Sequence, residues 1–212
     1  MKHVVIRDVE AGDIPGIKNV MREVWDWASI IGEEAAIDSA LGLYLNQFLY
    51  NGTFGRAAIL DGKMAGVIFG SVNEAVPKYR MLQEDGTAHA FSLLGSCERD
   101  RENIYEYFSK LKDVDEKLVR GIGDEYDGTL GFLALAKESQ GLGVGKKLWL
   151  ALKEYFLENN ANAIYLYSDT ECNFGFYERQ GFKRRRELEV VFAFDGEPYA
   201  TKQFLYEFRF EK

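Results

Sequence analysis

The sequence predicts a mixed α/β fold (α+β), in which a central sheet of about seven strands is flanked by helices. Short runs rich in β-branched and aromatic residues recur along the chain, and helical spacing of apolar residues separates them. The dipeptides Asp61-Gly62 and Asp195-Gly196 mark turns between neighbouring strands. The expected order is strand, two helices, three strands, helix, strand, helix and two strands, which places helices on the faces of a mixed sheet.

The first part of the chain predicts one strand, two helices and a hairpin. The strand covers His3 to Arg7. Asp13 is the expected N-cap of the first helix, which then carries an apolar stripe at helical spacing. A second helix covers Glu33 to about Leu49, and the hairpin pairs residues 57–60 with residues 64–69.

Residues 74–127 are irregular and polar, with helical parts expected at residues 103–111 and 115–120. This stretch predicts no strands of its own, so we expect a helical insertion before the central strand, within a single domain over residues 1–212. The remaining elements are regular. They are strands at 130–136, 163–167, 183–194 and 202–210, a helix at 144–159 and a short helix at 172–179.

The net charge and the scarcity of histidine and cysteine restrict the chemistry. A net charge of −8 argues against nucleic-acid binding, since phosphate backbones require clustered Lys and Arg. With only Cys97, Cys172, His3 and His89 available, a His/Cys metal site and nucleophilic catalysis by a Ser-His or Cys-His pair are disfavoured. The N-terminus lacks a signal-peptide segment and no apolar run is membrane-length, so we expect a cytoplasmic protein without metal or membrane binding.

The richest chemical signal is the segment Gln140 to Gly145, where a predicted strand meets a predicted helix. Its glycines, Gly141, Gly143 and Gly145, allow the backbone to turn sharply and to approach a ligand. The first amides of the helix lack intrahelical acceptors, and the helix dipole adds partial positive charge there. The segment therefore predicts a phosphate or pyrophosphate site, with a glycine-rich turn that serves packing alone as the alternative.

Two common phosphate loops do not match this spacing. A Walker loop requires glycine and a hydroxyl residue where this chain has Gln140 and Lys147, and a dinucleotide loop requires its third glycine one residue later. The pattern instead resembles the CoA-binding motif Q/R-x-x-G-x-G/A of the GNAT superfamily of N-acetyltransferases. The resemblance implies a GNAT-like, mostly antiparallel sheet and acetyl-CoA (coenzyme A) as co-substrate. The contacts implied are Gln140, Gly141, Leu142, Gly143, Val144, Gly145 and Lys146.

A second segment, from Asn173 through Phe176-Tyr177-Glu178 to Gly181-Phe182, resembles the family's N…FYE…GF motif. Asn173 and Tyr177 are four residues apart and are expected on one face of a short helix. The resemblance makes Tyr177 the donor of a proton to the departing thiolate, and Asn173 a CoA contact. Many family members carry this asparagine seven residues before the tyrosine, where this chain has Thr170. Burial of Tyr177 as a core residue is the alternative.

The resemblance also implies that the strand before the glycine loop separates from its neighbour and offers its backbone to the pantetheine arm. The expected contacts are the backbone amides of Leu133 and Leu135, with an amide near Leu135 polarising the thioester carbonyl. An ordinary buried strand is the alternative for these residues.

Together these features predict an acetyl-CoA-dependent N-acetyltransferase that moves an acetyl group directly to a primary amine of a small molecule or peptide. A non-catalytic acyl-CoA sensor and a transferase for a longer acyl-CoA stay open as alternatives. Asp127, Glu138 and Glu171 are candidate bases for the amine. The long C-terminal strands and an inserted helix are compatible with a homodimer. Candidates for shaping the acceptor pocket are Trp25, Trp27, Tyr44, Phe48, Tyr50 and the 74–127 insertion.

Overall fold

The structure is a computed structural model that describes residues 4–211, so His3 of the first predicted strand lies outside the described residues. The strands are β1 (Val4–Asp8), β2 (Phe54–Leu60), β3 (Lys63–Val72), β4 (Gly128–Leu135), β5 (Ala163–Asp169), β6 (Lys183–Phe194) and β7 (Glu197–Arg209). The helices are α1 (Ile14–Val24), α2 (Glu34–Asn51), α3 (Gly86–Gly95), α4 (Glu98–Val119), α5 (Val144–Glu158) and α6 (Phe174–Arg179).

The seven strands form one sheet in the order β1-β2-β3-β4-β5-β7-β6. Every neighbouring pair is antiparallel except β4 and β5, which are parallel. This confirms the predicted mixed, mostly antiparallel sheet. The parallel strands pair only through Gly128 with Ile164 and Thr129 with Tyr165, whereas β4 pairs with β3 as far as Leu135. Beyond Thr129 the two central strands separate, as expected.

Helices cover both faces of the sheet because the apolar residues of its strands alternate. Along β3, Val67 and Phe69 join the core under α1 and α2, whereas Ile68 between them joins the core under α5. Helix α4 lies on the same face as α1 and α2 and packs on β5, β6 and β7. No helix within residues 4–211 is long and apolar enough to cross a membrane.

Asp13 occupies the N-cap position of α1, as predicted, but its side chain does not make a capping hydrogen bond. It also ends a 3-10 turn (Ala11–Asp13). Its carboxylate instead accepts the amide of Glu10 at 2.9 Å and two hydrogen bonds from the Arg7 guanidinium at 2.7 and 2.8 Å. A charged partner from β1 thus outcompetes the local cap, because an ion pair with two hydrogen bonds is stronger than one bond to an amide.

The insertion contains more helix than predicted. Helix α3 was not anticipated, and α4 runs through 22 residues where two shorter helical parts were expected. The polar stretch of α4 is supported by Lys117 with Asp113 at 2.6 Å, one turn apart. Its apolar residues Val114 and Leu118 are buried against the strands, so tertiary packing completes a helix whose composition is largely charged.

Polar contacts attach the insertion to the rest of the sheet and helices. Asp100 is fully buried, and its two oxygens accept the amides of Gly32 and Glu33 at 2.9 and 2.8 Å, just before α2. Asn103 donates to the carbonyl of Ile30 at 2.8 Å and to the Asp195 carboxylate at 3.0 Å, in the turn between β6 and β7. The organisation as one domain and the homodimer stay predictions.

One cluster in this region has the composition of a metal site. Ligand atoms of Glu33, Cys97 and Asp100 all lie within 4.8 Å of one another. However, both Asp100 oxygens already accept backbone amides, and Glu33 accepts the amide of Cys97 at 3.0 Å. These hydrogen bonds join the start of α2 to the start of α4, which accounts for the grouping.

Candidate active site

The segment Gln140 to Gly145 connects β4 to α5 and is open on its outer side. Gly141 and Gly143 have φ angles of 75° and 76°, in the left-handed region that favours glycine. A Cβ added at either residue would meet nothing within 4 Å. Because Gly143 is the N-cap of α5, this open surface lies directly at the start of the helix.

The first amides of α5 face this opening without protein partners. Among residues 4–211 the amides of Val144, Gly145 and Lys146 have no hydrogen-bond acceptor, and the amide of Lys147 is the first to bond, to the Gly143 carbonyl at 3.1 Å. The side chain of Val144 is buried, so only its backbone can meet a ligand. Orphan amides at a helix start provide a site for an anion.

Gly145 has a different role from the other two glycines. A Cβ at this position would lie 3.0 Å from Cδ1 of Leu135 and 3.5 Å from the ring of Phe176. Because glycine has no Cβ, the start of α5, the end of β4 and helix α6 can pack closely here. The glycine loop, the separated strand and the second motif are therefore neighbours in space.

Strand β4 is irregular at the point where it leaves β5. Its pairing with β3 shifts between Phe69 with Phe132 and Gly70 with Leu130, so Gly131 is the extra residue of a β-bulge. Gly131 is exposed, Leu130 belongs to the core under α5, and Phe132 belongs to the core under α1 and α2. Leu133 and Leu135, the predicted pantetheine contacts, are half-buried beyond this bulge.

Tyr177 lies in the first turns of α6, with its ring against Phe176, Phe182 and Tyr206 at centroid distances of 5.4, 5.8 and 6.4 Å. Its hydroxyl makes no hydrogen bond to any residue in 4–211. Burial raises the pKa of Tyr177, so the phenol stays protonated at neutral pH. Asn173 is exposed and precedes the helix as its N-cap, without a side-chain capping bond.

A cavity of about 580 Å³ opens where β4 and β5 separate. Tyr177 and Leu133 line it, together with Trp25, which follows α1, and residues of α2, α4 and β5. Three of the predicted pocket aromatics, Trp25, Tyr44 and Phe48, reach it. Tyr107 and Phe108, from the predicted 74–127 insertion, also line it. Aromatic lining residues that the sequence did not indicate are Phe69, Phe132, Tyr165 and Tyr167.

The other two predicted pocket aromatics lie elsewhere. Trp27 is buried behind the rings of Tyr107 and Phe108, at centroid distances of 5.1 and 6.0 Å. Tyr50 is exposed and stacks with the Arg80 guanidinium at 4.4 Å. Tyr50 belongs to α2, where its helical phase turns it away from the pocket, and Trp27 lies in a 3-10 turn (Trp27–Ser29) after α1.

Two carboxylates that sequence reasoning missed line the cavity, Asp115 of α4 and Asp169 at the end of β5. Oδ1 of Asp115 is shielded from solvent and has no hydrogen-bond partner. Burial, and after it the charge of Asp169, raises the pKa of Asp115 to about 7. One Asp169 oxygen accepts the amides of Glu171 and Cys172, both at 2.8 Å. Within residues 4–211, neither carboxylate forms an ion pair with Lys or Arg.

The predicted bases do not line this cavity. Asp127 accepts the amides of Asn162 and Ala163 at 2.6 and 3.1 Å, which ties the start of β4 to the start of β5. These hydrogen bonds hold the pKa of Asp127 below its usual range, which makes it a weak base. Glu138 and Glu171 are exposed outside the cavity.

Comparison with known proteins supports the interpretation of these features. The sequence profile of the acetyltransferase (GNAT) family matches residues 21–182. The PaiA N-acetyltransferase of Thermoplasma acidophilum, solved with coenzyme A, is 17% identical, with a TM-score of 0.53 over 98% of this chain and 99% of that chain. Ard1 of Thermoplasma volcanium is 15% identical, with a TM-score of 0.56 over 99% of each chain.

A third similar structure, the ribosomal-protein-alanine N-acetyltransferase of Brucella melitensis, is 12% identical, with a TM-score of 0.55 over 97% of this chain and 99% of that chain. No curated protein matches the sequence significantly. At such low identities the solved structures establish the fold alone. The family profile matches the chain from Met21 in α1 to Phe182, just after α6.

Proposed function

The chain belongs to the GNAT family of acetyltransferases, and from that premise we propose that it transfers the acetyl group of acetyl-CoA directly to a primary amine of a small molecule or peptide. One observation carries the proposal. Gly145 of the glycine loop lies close to Leu135 at the separated end of β4 and to Phe176, the neighbour of Tyr177, and the nearby residues Leu133 and Tyr177 line one cavity.

The glycine loop suits the diphosphate of CoA. We expect the amides from Gly143 to Lys146 to donate to its oxygens, because they lack protein acceptors and stand at the positive end of α5. The exposed side chains beside the loop, Gln140, Leu142 and Lys146, would flank the ligand. The backbone of Leu133 and Leu135 would hold the pantetheine arm next to the strand separation. The bound co-substrate supplies a thioester whose carbonyl carbon accepts a nucleophile.

We propose Tyr177 as the acid. Its ring packs against three aromatic neighbours, the residue lines the cavity, and its hydroxyl makes no hydrogen bond within residues 4–211. A phenol with a raised pKa is protonated at neutral pH, so its proton is present when the C–S bond breaks. We expect Oη of Tyr177 to give this proton to the departing sulfur.

The decisive variant is Tyr177→Phe, which removes the proton and keeps the ring packing. We expect kcat to fall by ~10²-fold or more, the range typical of a lost general acid, while the Kd for CoA changes by less than about threefold. Release of CoA thiol in the presence of a panel of amines measures kcat, and calorimetry measures CoA binding. Tyr155→Phe is the matched control, because Tyr155 is a half-buried tyrosine on α5 outside this cavity.

Two outcomes would contradict the proposal in different ways. Unchanged turnover in Tyr177→Phe would remove Tyr177 from the acid role but leave the transferase intact. Tight CoA binding without thiol release for any small-molecule or peptide amine would instead favour an acyl-CoA sensor.

A further inference from the structure

We propose that the acceptor is a small diamine, one ammonium of which is held by Asp115 and Asp169 while its other nitrogen receives the acetyl group. This inference rests on the proposed transfer to an amine and specifies which amine the cavity selects. It also assigns a function to the insertion, since Asp115 belongs to α4.

Unpartnered polar atoms indicate that the cavity is built for a ligand. Oδ1 of Asp115 is shielded from solvent and accepts no hydrogen bond. Ser168, on β5 beside Asp169, is only 5% exposed, and its hydroxyl also has no partner although it lines the same cavity. Buried polar groups in folded proteins are nearly always hydrogen-bonded, so two exceptions around one cavity point to a bound molecule with hydrogen-bond donors.

The charges around the cavity indicate that this molecule is a cation. Lys112 is the one basic residue that lines it, and its ammonium pairs with Glu116 at 3.9 Å rather than with Asp115 or Asp169. Within the described residues, the carboxylates of Asp115 and Asp169 therefore have no positively charged partner. The rings of Tyr44 and Tyr107 complete the enclosure, and aromatic faces attract ammonium groups.

The reaction itself requires a second nitrogen. The attacking nitrogen must carry a free lone pair, so it cannot remain the ammonium that the carboxylates hold. In the balanced step, this lone pair forms the C–N bond, the C–S bond breaks, its electron pair leaves on sulfur, and sulfur takes the proton of Tyr177. The proton of the attacking nitrogen passes to solvent, and Tyr177 regains a proton from solvent, so the enzyme returns to its starting state. The cation held by Asp115 and Asp169 is unchanged throughout.

The size of the cavity suits a small acceptor rather than a protein substrate. A volume of about 580 Å³ lies within the range of small-molecule sites. It is bounded on one side by α4, whose residues Tyr107, Leu111 and Asp115 all face it at helical spacing. A short chain with amines at both ends would place one end at the carboxylates and the other at the separated strands.

The test compares amines that differ only in the second ammonium. Diaminobutane and butylamine form one pair, and diaminopentane and pentylamine form another. We expect kcat/KM of the wild-type protein to be ~10-fold or more higher for the diamine than for the monoamine in at least one pair. The reason is that the monoamine lacks the second ammonium and therefore its charged contact with the two carboxylates. In Asp115→Asn we expect this ratio to fall to near 1. The matched control is Asp113→Asn, an exposed carboxylate of the same helix, which should retain the full ratio.

A second measurement separates this inference from the proposed function. Diamine binding to the CoA-loaded protein is measured by calorimetry for the wild type and for Asp115→Asn. Binding that requires Asp115 but gives no thiol release would support the diamine site and contradict acetyl transfer. Transfer to monoamines or peptides with no preference for diamines, or a ratio unchanged in Asp115→Asn, would overturn the diamine site and leave the transferase standing.

Discussion

The glycine loop and the acidic cavity border the same pair of separated strands, yet they are built in opposite ways. The loop consists of consecutive residues, Gln140 to Gly145, and presents mainly backbone amides. The cavity is assembled from side chains of α2, α4, β4 and β5 and from Trp25 after α1. It includes Asp115 and Asp169, which are distant in sequence. The loop needs the absence of side chains, whereas the cavity needs particular ones.

This difference suggests how the two halves of the site can change independently. Backbone amides at a helix start bind a phosphate whatever the neighbouring side chains are, provided that glycine permits the turn. The cavity depends on single carboxylates and rings carried by the insertion, so we expect substitutions in α4 to alter acceptor selection without affecting the proposed donor site. Three experiments test this separation, from the largest expected effect to the smallest.

The largest effect is expected from Gly143→Val. A β-branched residue is strained at φ of 76°, and its Cβ would enter the open surface where the diphosphate is proposed to bind. We expect the Kd for CoA to rise by ~100-fold, since several charge-assisted hydrogen bonds would be lost. The control is Gly121→Val, which has φ of 75° and equally open surroundings but lies in the turn after α4. Both variants should lose similar stability, and equal CoA affinities would contradict the loop's role.

Asp115→Asn is expected to have an intermediate effect, which is a change in the stability of the ligand-free protein. The pKa of Asp115, about 7 in the folded protein, lies above its value in the unfolded chain. The folded state therefore keeps this carboxyl protonated up to a higher pH than the unfolded chain does. Wild-type stability therefore falls as pH rises from about 4 to 7, and this contribution is absent above pH 7. The variant should exceed the wild type by roughly 1–3 kcal/mol at pH 8 and match it near pH 4.

Thermal melts across this pH range measure the difference between the two proteins. The titratable groups around Asp115 are Tyr44, Tyr107, Lys112, Glu116, Tyr165, Tyr167 and Asp169. Burial raises the pKa of the tyrosines further above this window, so they contribute little to the difference. The affinity for CoA should be the same in the wild type and in Asp115→Asn, because the proposed CoA site is separate from Asp115. A constant stability difference from pH 4 to pH 8 would contradict the burial of an ionisable Asp115.

The smallest effect is expected from Asn173→Ala. Asn173 is exposed and makes no capping bond, so its removal should change stability by less than about 0.5 kcal/mol. A single exposed contact to CoA would raise the Kd by about two- to fivefold. A change as large as that of Gly143→Val would show that donor recognition also depends on side chains.

The sequence predicted the sheet, the glycine loop and the position of Tyr177, because each leaves a local pattern. The hairpin of β2 and β3 was recognised from Asp61-Gly62, although both strands extend beyond the predicted ends. The extensions contain Gly55 and Gly70, which weaken a strand pattern. In the fold, their missing side chains make room for Phe69 and Leu152, a contact between distant residues that no local pattern records.

What the sequence by itself determined is the glycine loop of the proposed donor site, since positive φ angles, orphan amides and helix starts depend on neighbouring residues. What only the tertiary structure decided is the cavity proposed for the acceptor. In the sequence, Asp115 is one of many charged residues in a polar helix. Only the packing of α4 against β5 shields its Oδ1 from solvent. Burial and the absence of a partner are properties of packed elements, so they emerge only when distant segments meet.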